Sequence, residues 1–200
     1  MIIGILSDSH GHPGRLRRGI DALKERHAGM LIHLGDVTDT LRLETVDECA
    51  QILIENDIKG VLGNHEYSLI THHFKRYPAR FSESAKEYIS SLPYRIEMDD
   101  VCFTHFSPVG GVYGLYAPTD NSSYEATLLN STWPILINGH SHEPRIYRRL
   151  DGVIENVPFP LDKPFQLAKN ACYILTCGAL EDRYCAVLDS DARSFEVIGV

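Results

Sequence analysis

The sequence predicts an α/β fold, with two β-sheets and helices outside them. Three observations carry this. The first half alternates short β-rich runs with helical stretches, the polar residues that end those runs recur at a constant interval, and the second half changes to short strands separated by Gly and Asp turns. "IIGILS" (2–7), "MLIHLG" (30–35) and "IKGVLG" (58–63) are the first three strands, with helices over about 13–27 and 42–56 between them. Strand, helix, strand, helix, strand implies parallel strands joined by crossover helices. Asp8, Asp36 and Asn64 close the runs, each 28 positions after the last (8, 36, 64). That interval is close to the ~30 residues of one βαβ unit. Three polar groups are thus delivered to the carboxyl ends of parallel strands, where open α/β sheets keep their ligand crevice.

The second half reads as a largely antiparallel second sheet. A helix near 82–91 precedes "YRIEM" (94–98) and "VCFTHF" (101–106), which "DD" joins as a hairpin. A helix near 122–130 leads into "PILING" (134–139). "PRIYRRL" (144–150), "GVIENV" (152–157), "ACYILTC" (171–177), "RYCAVLD" (183–189) and "SFEVIGV" (194–200) follow as short alternating runs. Two stretches, 107–121 and 158–170, are too long and too rich in Pro and Gly for simple connections and read as candidate binding loops.

Composition narrows the function. Two hundred residues suit one domain, 1–200, with a substantial core. A net charge of −8 argues against a nucleic-acid partner or an anionic membrane surface, either of which calls for clustered Lys and Arg. Five cysteines with no CxxC pair, four of them in apolar runs, read as reduced thiols of a cytoplasmic protein. "MIIGILSDSH" has no basic n-region and reads as a first core strand rather than a signal peptide, and no apolar stretch reaches the roughly 20 residues of a membrane span. The oddity is ten histidines.

Five strand-end segments gather the chemistry: "SDSHGH" (7–12), "LGDVTD" (34–39), "LGNHEY" (62–67), "THFSP" (104–108) and "NGHSHE" (138–143). Asp8 and His10 are two apart, as are His140 and His142, so in extended chain each pair points the same way. A mixed nitrogen and oxygen donor set suits first-row divalent metals better than Ca or Mg, and it calls for no thiolate.

In this order, Asp8-Ser9-His10, Gly35-Asp36, Gly63-Asn64-His65-Glu66, His105 and Gly139-His140-Ser141-His142, the sequence resembles the calcineurin-like metallophosphoesterases. The "HLGD" form (33–36) and the short chain look closest to the compact bacterial and archaeal phosphodiesterase branch. The resemblance implies a four-layer αββα sandwich of two mixed sheets flanked by helices. It also implies two divalent ions, manganese first among Mn, Fe, Ni, Zn and Co. One ion would take Asp8, His10 and His142, the other Asn64, His105 and His140, with Asp36 bridging them. His65 would face the phosphoryl oxygens or leaving group, Glu66 would orient the His65 ring, and His12 would stand near the phosphate. Where small relatives carry an N-P-G-S-like turn, this chain has "TCGAL" (176–180), which bears on dimer contacts or substrate fit rather than on the ligands.

Two ions contribute +4, and Asp8, Asp36 and a bridging hydroxide subtract three. An acidic protein can therefore attract an anionic phosphoester locally. Such a pair also lowers the pKa of shared water toward ~7 and clamps an in-line displacement. The expected function is hydrolysis of a small phosphodiester or nucleotide, with a phosphomonoesterase, including a protein phosphatase, as the alternative and a non-catalytic scaffold behind it. A homo-oligomer is compatible with the sequence. Of the remaining histidines, His27 fits a helix C-terminus, and His33, His72 and His73 take structural readings. Asp39 reads as a loop or capping residue, Tyr113 and Tyr116 as loop aromatics that could stack on a flat group, and Arg145, Arg148 and Arg149 as a solvated face.

Overall fold

The computed structural model describes residues 1–108, 114–115 and 131–200. The predicted helix near 122–130, Tyr113 and Tyr116 lie outside the described residues, as does most of 107–121. Two mixed six-stranded sheets flanked by helices form an α/β sandwich. The first half follows the predicted plan: β1 (Ile2–Leu6), α1 (Pro13–Glu25), β2 (Met30–His33), α2 (Val46–Glu55) and β3 (Lys59–Gly60), with β1, β2 and β3 parallel. Then come α3 (Asn64–Ser68), a π-helical turn over Leu69–His73, α4 (Phe74–Arg76) and α5 (Glu83–Ser91). The predicted strand at 58–63 shrinks to two paired residues because β3 is an edge strand. Beyond it Val61 and Leu62 donate singly, to His33 O and Pro93 O, and the chain turns into the site.

The second half is β4 (Arg95–Met98), β5 (Val101–Thr104), β6 (Ile135–Asn138), β7 (Arg145–Leu150), β8 (Val153–Asn156), β9 (Phe165–Gln166), β10 (Cys172–Thr176), β11 (Tyr184–Asp189) and β12 (Ser194–Gly199). Two expectations are corrected here. The sheet order β3-β2-β1-β11-β12-β9 places the last two strands in the first sheet, antiparallel to β1, rather than in the second. The other sheet, β4-β5-β6-β10-β7-β8, is mixed, because β5, β6 and β10 run parallel. Period-2 patterning identifies a strand but not its neighbour. The segment 158–170 is likewise not a free loop: β9 pairs with β12, and Leu167 is buried in the core.

The main core lies between the sheets, where Ile3, Ile5 and Val197 of one face Phe103, Ile137 and Leu175 of the other. On the outer face of the first sheet, Leu16, Ile20 and Leu23 form the buried stripe of α1, at the i, i+4, i+7 spacing of one helix face. Each contributes about 1.5–3 kcal/mol by leaving water. The helix starts on Pro13 and closes at His27, which takes a left-handed φ of 60° while Ala28 N donates to Leu23 O. No helix among the described residues is long and apolar enough to cross a membrane.

Candidate metal centre

All five motif segments leave the carboxyl ends of parallel-paired strands. β1, β2 and β3 belong to one sheet, β5 and β6 to the other, and the segments meet where the two sheets adjoin. The loops after β1 and β2 are laced together by Asp8 N to Gly35 O, His10 N to Asp36 O and Gly11 N to Val37 O. The loops after β5 and β6 are joined by Gly139 N to His105 O. Close approach explains the glycines. A Cβ on Gly63 would run into the Asp36 backbone nitrogen and carboxylate, and one on Gly139 into Ser7 Oγ and Asp8 Oδ2. Asp8, His10, Asp36, His140 and His142 all have left-handed φ, between 43° and 63°. Such backbone costs on the order of 1–3 kcal/mol per residue and persists where surrounding structure imposes it, commonly at functional sites.

Two nests of ligand-type atoms result. In the first, Asp8 Oδ1 lies 3.8 Å from His10 Nε2 and 3.7 Å from His142 Nε2, and the two ring nitrogens are 3.2 Å apart. In the second, His105 Nε2 lies 3.0 Å from His140 Nδ1, 2.9 Å from Asn64 Oδ1 and 3.4 Å from Asp36 Oδ2. Asp36 Oδ2 is also 3.9 Å from His10 Nε2, so one oxygen faces both nests, while Oδ1 accepts from His65 N. Atoms each bound ~2.1 Å from a common ion stand about 3–3.5 Å apart, and these separations approach that. Asp8 and Asp36 are buried, and Asp8 Oδ1 has no hydrogen-bond donor although Oδ2 accepts from His140 N and Ser7 Oγ. A buried carboxylate oxygen left unpaired is costly, and a cation in the nest satisfies it. His105 Nδ1 lies 2.8 Å from Leu34 O. Donation there leaves the Nε2 lone pair facing the second nest, as ligation requires. Both groups could hold a metal ion, as could a third that His65 forms with His10 and Asp36 between them, and the oxygen and nitrogen donors fit the divalent ions expected from the sequence.

The electrostatics match this crowding. Burial works against the Asp36 carboxylate, but the charge and hydrogen bond of His105 and the His65 backbone N–H outweigh it and hold the group well below the usual carboxylate range. Burial also opposes charge on His105, yet Asp36 and then Asp8 carry its pKa up to about 9. Burial and the charge on His105 push His140 down to about 4. The Asp8 carboxyl is raised, first by burial and then by Asp36, against the pull of His105. His33 is buried behind the site, its Nε2 3.1 Å from Ser9 Oγ, and burial lowers its pKa to about 3, leaving a neutral ring.

Glu66 departs from the expected role. Its buried carboxylate accepts from Asp36 N, Gly63 N, Thr38 N and Thr38 Oγ1, so it clamps the Asp36 loop and does not orient the His65 ring. As the third residue of α3 it turns back toward the helix start, away from the rim. The His65 ring is oriented instead by Thr40 N, which donates to Nδ1 at 3.1 Å, and Asp39 Oδ1 is 3.5 Å from the same nitrogen. His12 stands at the rim with Arg42 against its ring, and burial, Arg42 and Arg15 together lower its pKa. Sequence reading missed Glu181 and Asp182. They follow "TCGAL" and bring carboxylates to 3.2 and 3.4 Å from His142 Nδ1. The signal was a carboxylate pair directly after that turn, whose backbone is pinned by Leu180 N to Ser7 O and Ala179 N to His142 O.

The fold and its strand-end cluster define a metallophosphoesterase class. The chain belongs to the calcineurin-like phosphoesterase superfamily, whose domain model matches residues 1–175. Among solved structures it is similar to a metallophosphoesterase from Sphaerobacter thermophilus, at 20% identity and a TM-score of 0.76 over all of this chain and 88% of that one. An archaeal phosphodiesterase is similar at 19% identity and TM-score 0.54 over the whole of both chains. A putative diadenosine tetraphosphatase follows at 13% identity and TM-score 0.59 over 99% of this chain and 93% of that one. At such identities the likeness is one of fold. No curated protein matches the sequence.

Proposed function

We propose that the protein is a phosphoesterase that holds two divalent cations, manganese by preference, and hydrolyses a small phosphodiester or nucleotide. The observation that carries this reading is Asp36 Oδ2, a single buried carboxylate oxygen between two nests, 3.4 Å from His105 Nε2 and 3.9 Å from His10 Nε2. Asp8, His10 and His142 would hold one ion and Asn64, His105 and His140 the other, with the Asp36 carboxylate facing both. When bound, such a pair supplies a nucleophile at neutral pH and clamps an in-line displacement.

The chain's own groups do the rest. Thr40 N–H on Nδ1 leaves the proton of a neutral His65 ring on Nε2. His65 therefore donates a hydrogen bond to a phosphoryl or leaving-group oxygen. Its ring stands edge-on to His10, with centroids 4.8 Å apart, which places it beside the first nest. His12 and the half-exposed Arg42 add donors and positive charge for the substrate anion at that rim. Glu181 and Asp182 fix His142 with Nδ1–H toward them and Nε2 toward Asp8, the carboxylate–histidine arrangement that tunes metal ligands. Glu66 holds the Asp36 loop in place.

The test is hydrolysis of bis-p-nitrophenyl phosphate by purified protein with Mn²⁺, compared with p-nitrophenyl phosphate. Faster cleavage of the diester is expected. A preference for the monoester would favour the phosphomonoesterase reading, and no hydrolysis with any first-row divalent ion would overturn the catalytic one.

A further inference from the structure

Behind the turn that carries Glu181 and Asp182 lies a cavity of about 180 Å³, lined by Arg15, Arg18, Leu180, Arg183 and Val200. Every other arginine in the chain has a partner. Arg17, Arg26, Arg42, Arg80, Arg95, Arg145, Arg148 and Arg193 face carboxylates, Arg76 lies over the Tyr77 ring, and Arg149 donates to Cys172 Sγ. Among the described arginines, only Arg15, Arg18 and Arg183 have a side chain with no hydrogen bond, ion pair or ring contact, and all three line this one cavity. In a chain of net charge −8, with 27 acidic residues against 19 basic, three guanidinium groups left together are not a product of composition.

The local structure gathers them. Arg15 and Arg18 are three apart on α1 and so share a face of the helix. Arg183 takes a left-handed φ of 70°, and its backbone is tied by Arg183 N to Leu180 O and Val200 N to Arg183 O. Like charges around one cavity repel one another, and an anion between them reverses the sign of that energy. Guanidinium forks match phosphate oxygens in pairs, which a point-charge lysine does not. We infer that this cavity is an anion site for a phosphate-bearing small molecule, separate from the metal centre. The Leu180–Asp182 turn lies between the two, with Leu180 lining the cavity and Glu181 and Asp182 on His142. The phosphate belongs either to the far end of a polyphosphorylated substrate or to a separate anion.

Titration of pyrophosphate into the full chain in EDTA, where no metal centre competes, reads this site directly by calorimetry. Saturable binding of one pyrophosphate is expected, weakened at least tenfold in Arg18→Gln/Arg183→Gln and abolished in Arg18→Glu/Arg183→Glu, with circular dichroism checking that both variants are folded. No saturable binding to the wild-type chain, or equal binding by folded variants, overturns the inference. The Mn²⁺-loaded chain separates the two sources. A higher KM for a nucleoside triphosphate in the Gln variant, with bis-p-nitrophenyl phosphate unchanged, assigns the cavity to the substrate's distal phosphates. Unchanged kinetics for both, with pyrophosphate binding lost, assigns it to a separate anion.

Discussion

The two nests are built from similar residues but supported differently. The second is deep: His105 and Asp36 are buried, His105 is oriented by a backbone carbonyl, and Asn64 contributes a neutral oxygen. The first is shallower. His142 is about one-third exposed and is held by two side-chain carboxylates, and the negative charge of Asp8 and Glu181 stands around it. Backbone support makes a ligand part of the fold, whereas side-chain support makes it adjustable. The second nest should therefore be coupled to folding and protonation, and the first to the turn at 180–182.

The largest effect is expected where the nests meet. Asp36→Asn should lower kcat/KM for the diester by about 10³-fold and remove bound metal from both nests, measured by steady-state kinetics and elemental analysis. Loss of one ion alone would break the symmetry that Asp36 is argued to impose. His65→Ala should cost roughly 10²–10³-fold in kcat with the metal content unchanged, because Asp8, His10 and His142 in one nest and Asn64, His105 and His140 in the other supply donors without it, although its ring stands near His10 and Asp36. The Glu181→Ala/Asp182→Ala pair should weaken one of two metal-binding steps by about 10–100-fold and spare the other. Calorimetric isotherms with Mn²⁺ would show this as a change in a single step.

The smallest effect is a pH dependence of the second nest. With its pKa raised from 6.5 to about 9, metal-free His105 keeps its proton at neutral pH, although ligation needs the neutral ring. Metal entry there should release about one proton per chain at pH 7, and affinity should rise up to about tenfold per pH unit until pH 9. Calorimetry in buffers of differing ionisation enthalpy measures both. In the metal-free chain the same shift adds stability that is complete below pH 6.5 and disappears as pH rises through about 9. His140, lowered to about 4, does the reverse: its contribution is present above pH 6.5 and is lost as pH falls through about 4.

The sequence disclosed what is local and periodic. Asp8, Asp36 and Asn64 could be placed because each closes a β-rich run, whereas the extended-chain reading of His140 and His142 does not hold: both take left-handed φ, 63° and 61°, and their rings enter different nests. What it concealed is long-range. Nothing near residues 184–199 shows that β11 and β12 pair beside β1, since alternation marks a strand and leaves its neighbour open. Glu66 looked like a partner for His65 because it is adjacent in sequence, but on α3 its side chain turns back to Asp36 and Thr38, and Thr40 takes the ring. Glu181 reaches His142 across 39 positions (142 to 181), a separation that no motif spans.

Central to this account is that side chains from five strand ends converge into two metal sites sharing one carboxylate. Diffraction from Mn²⁺-soaked crystals, with anomalous differences recorded at the manganese edge, tests that most directly. The prediction is two peaks, one among Asp8, His10 and His142, one among Asn64, His105 and His140, with Asp36 in contact with both. A single peak, or two with Asp36 touching only one, would contradict it.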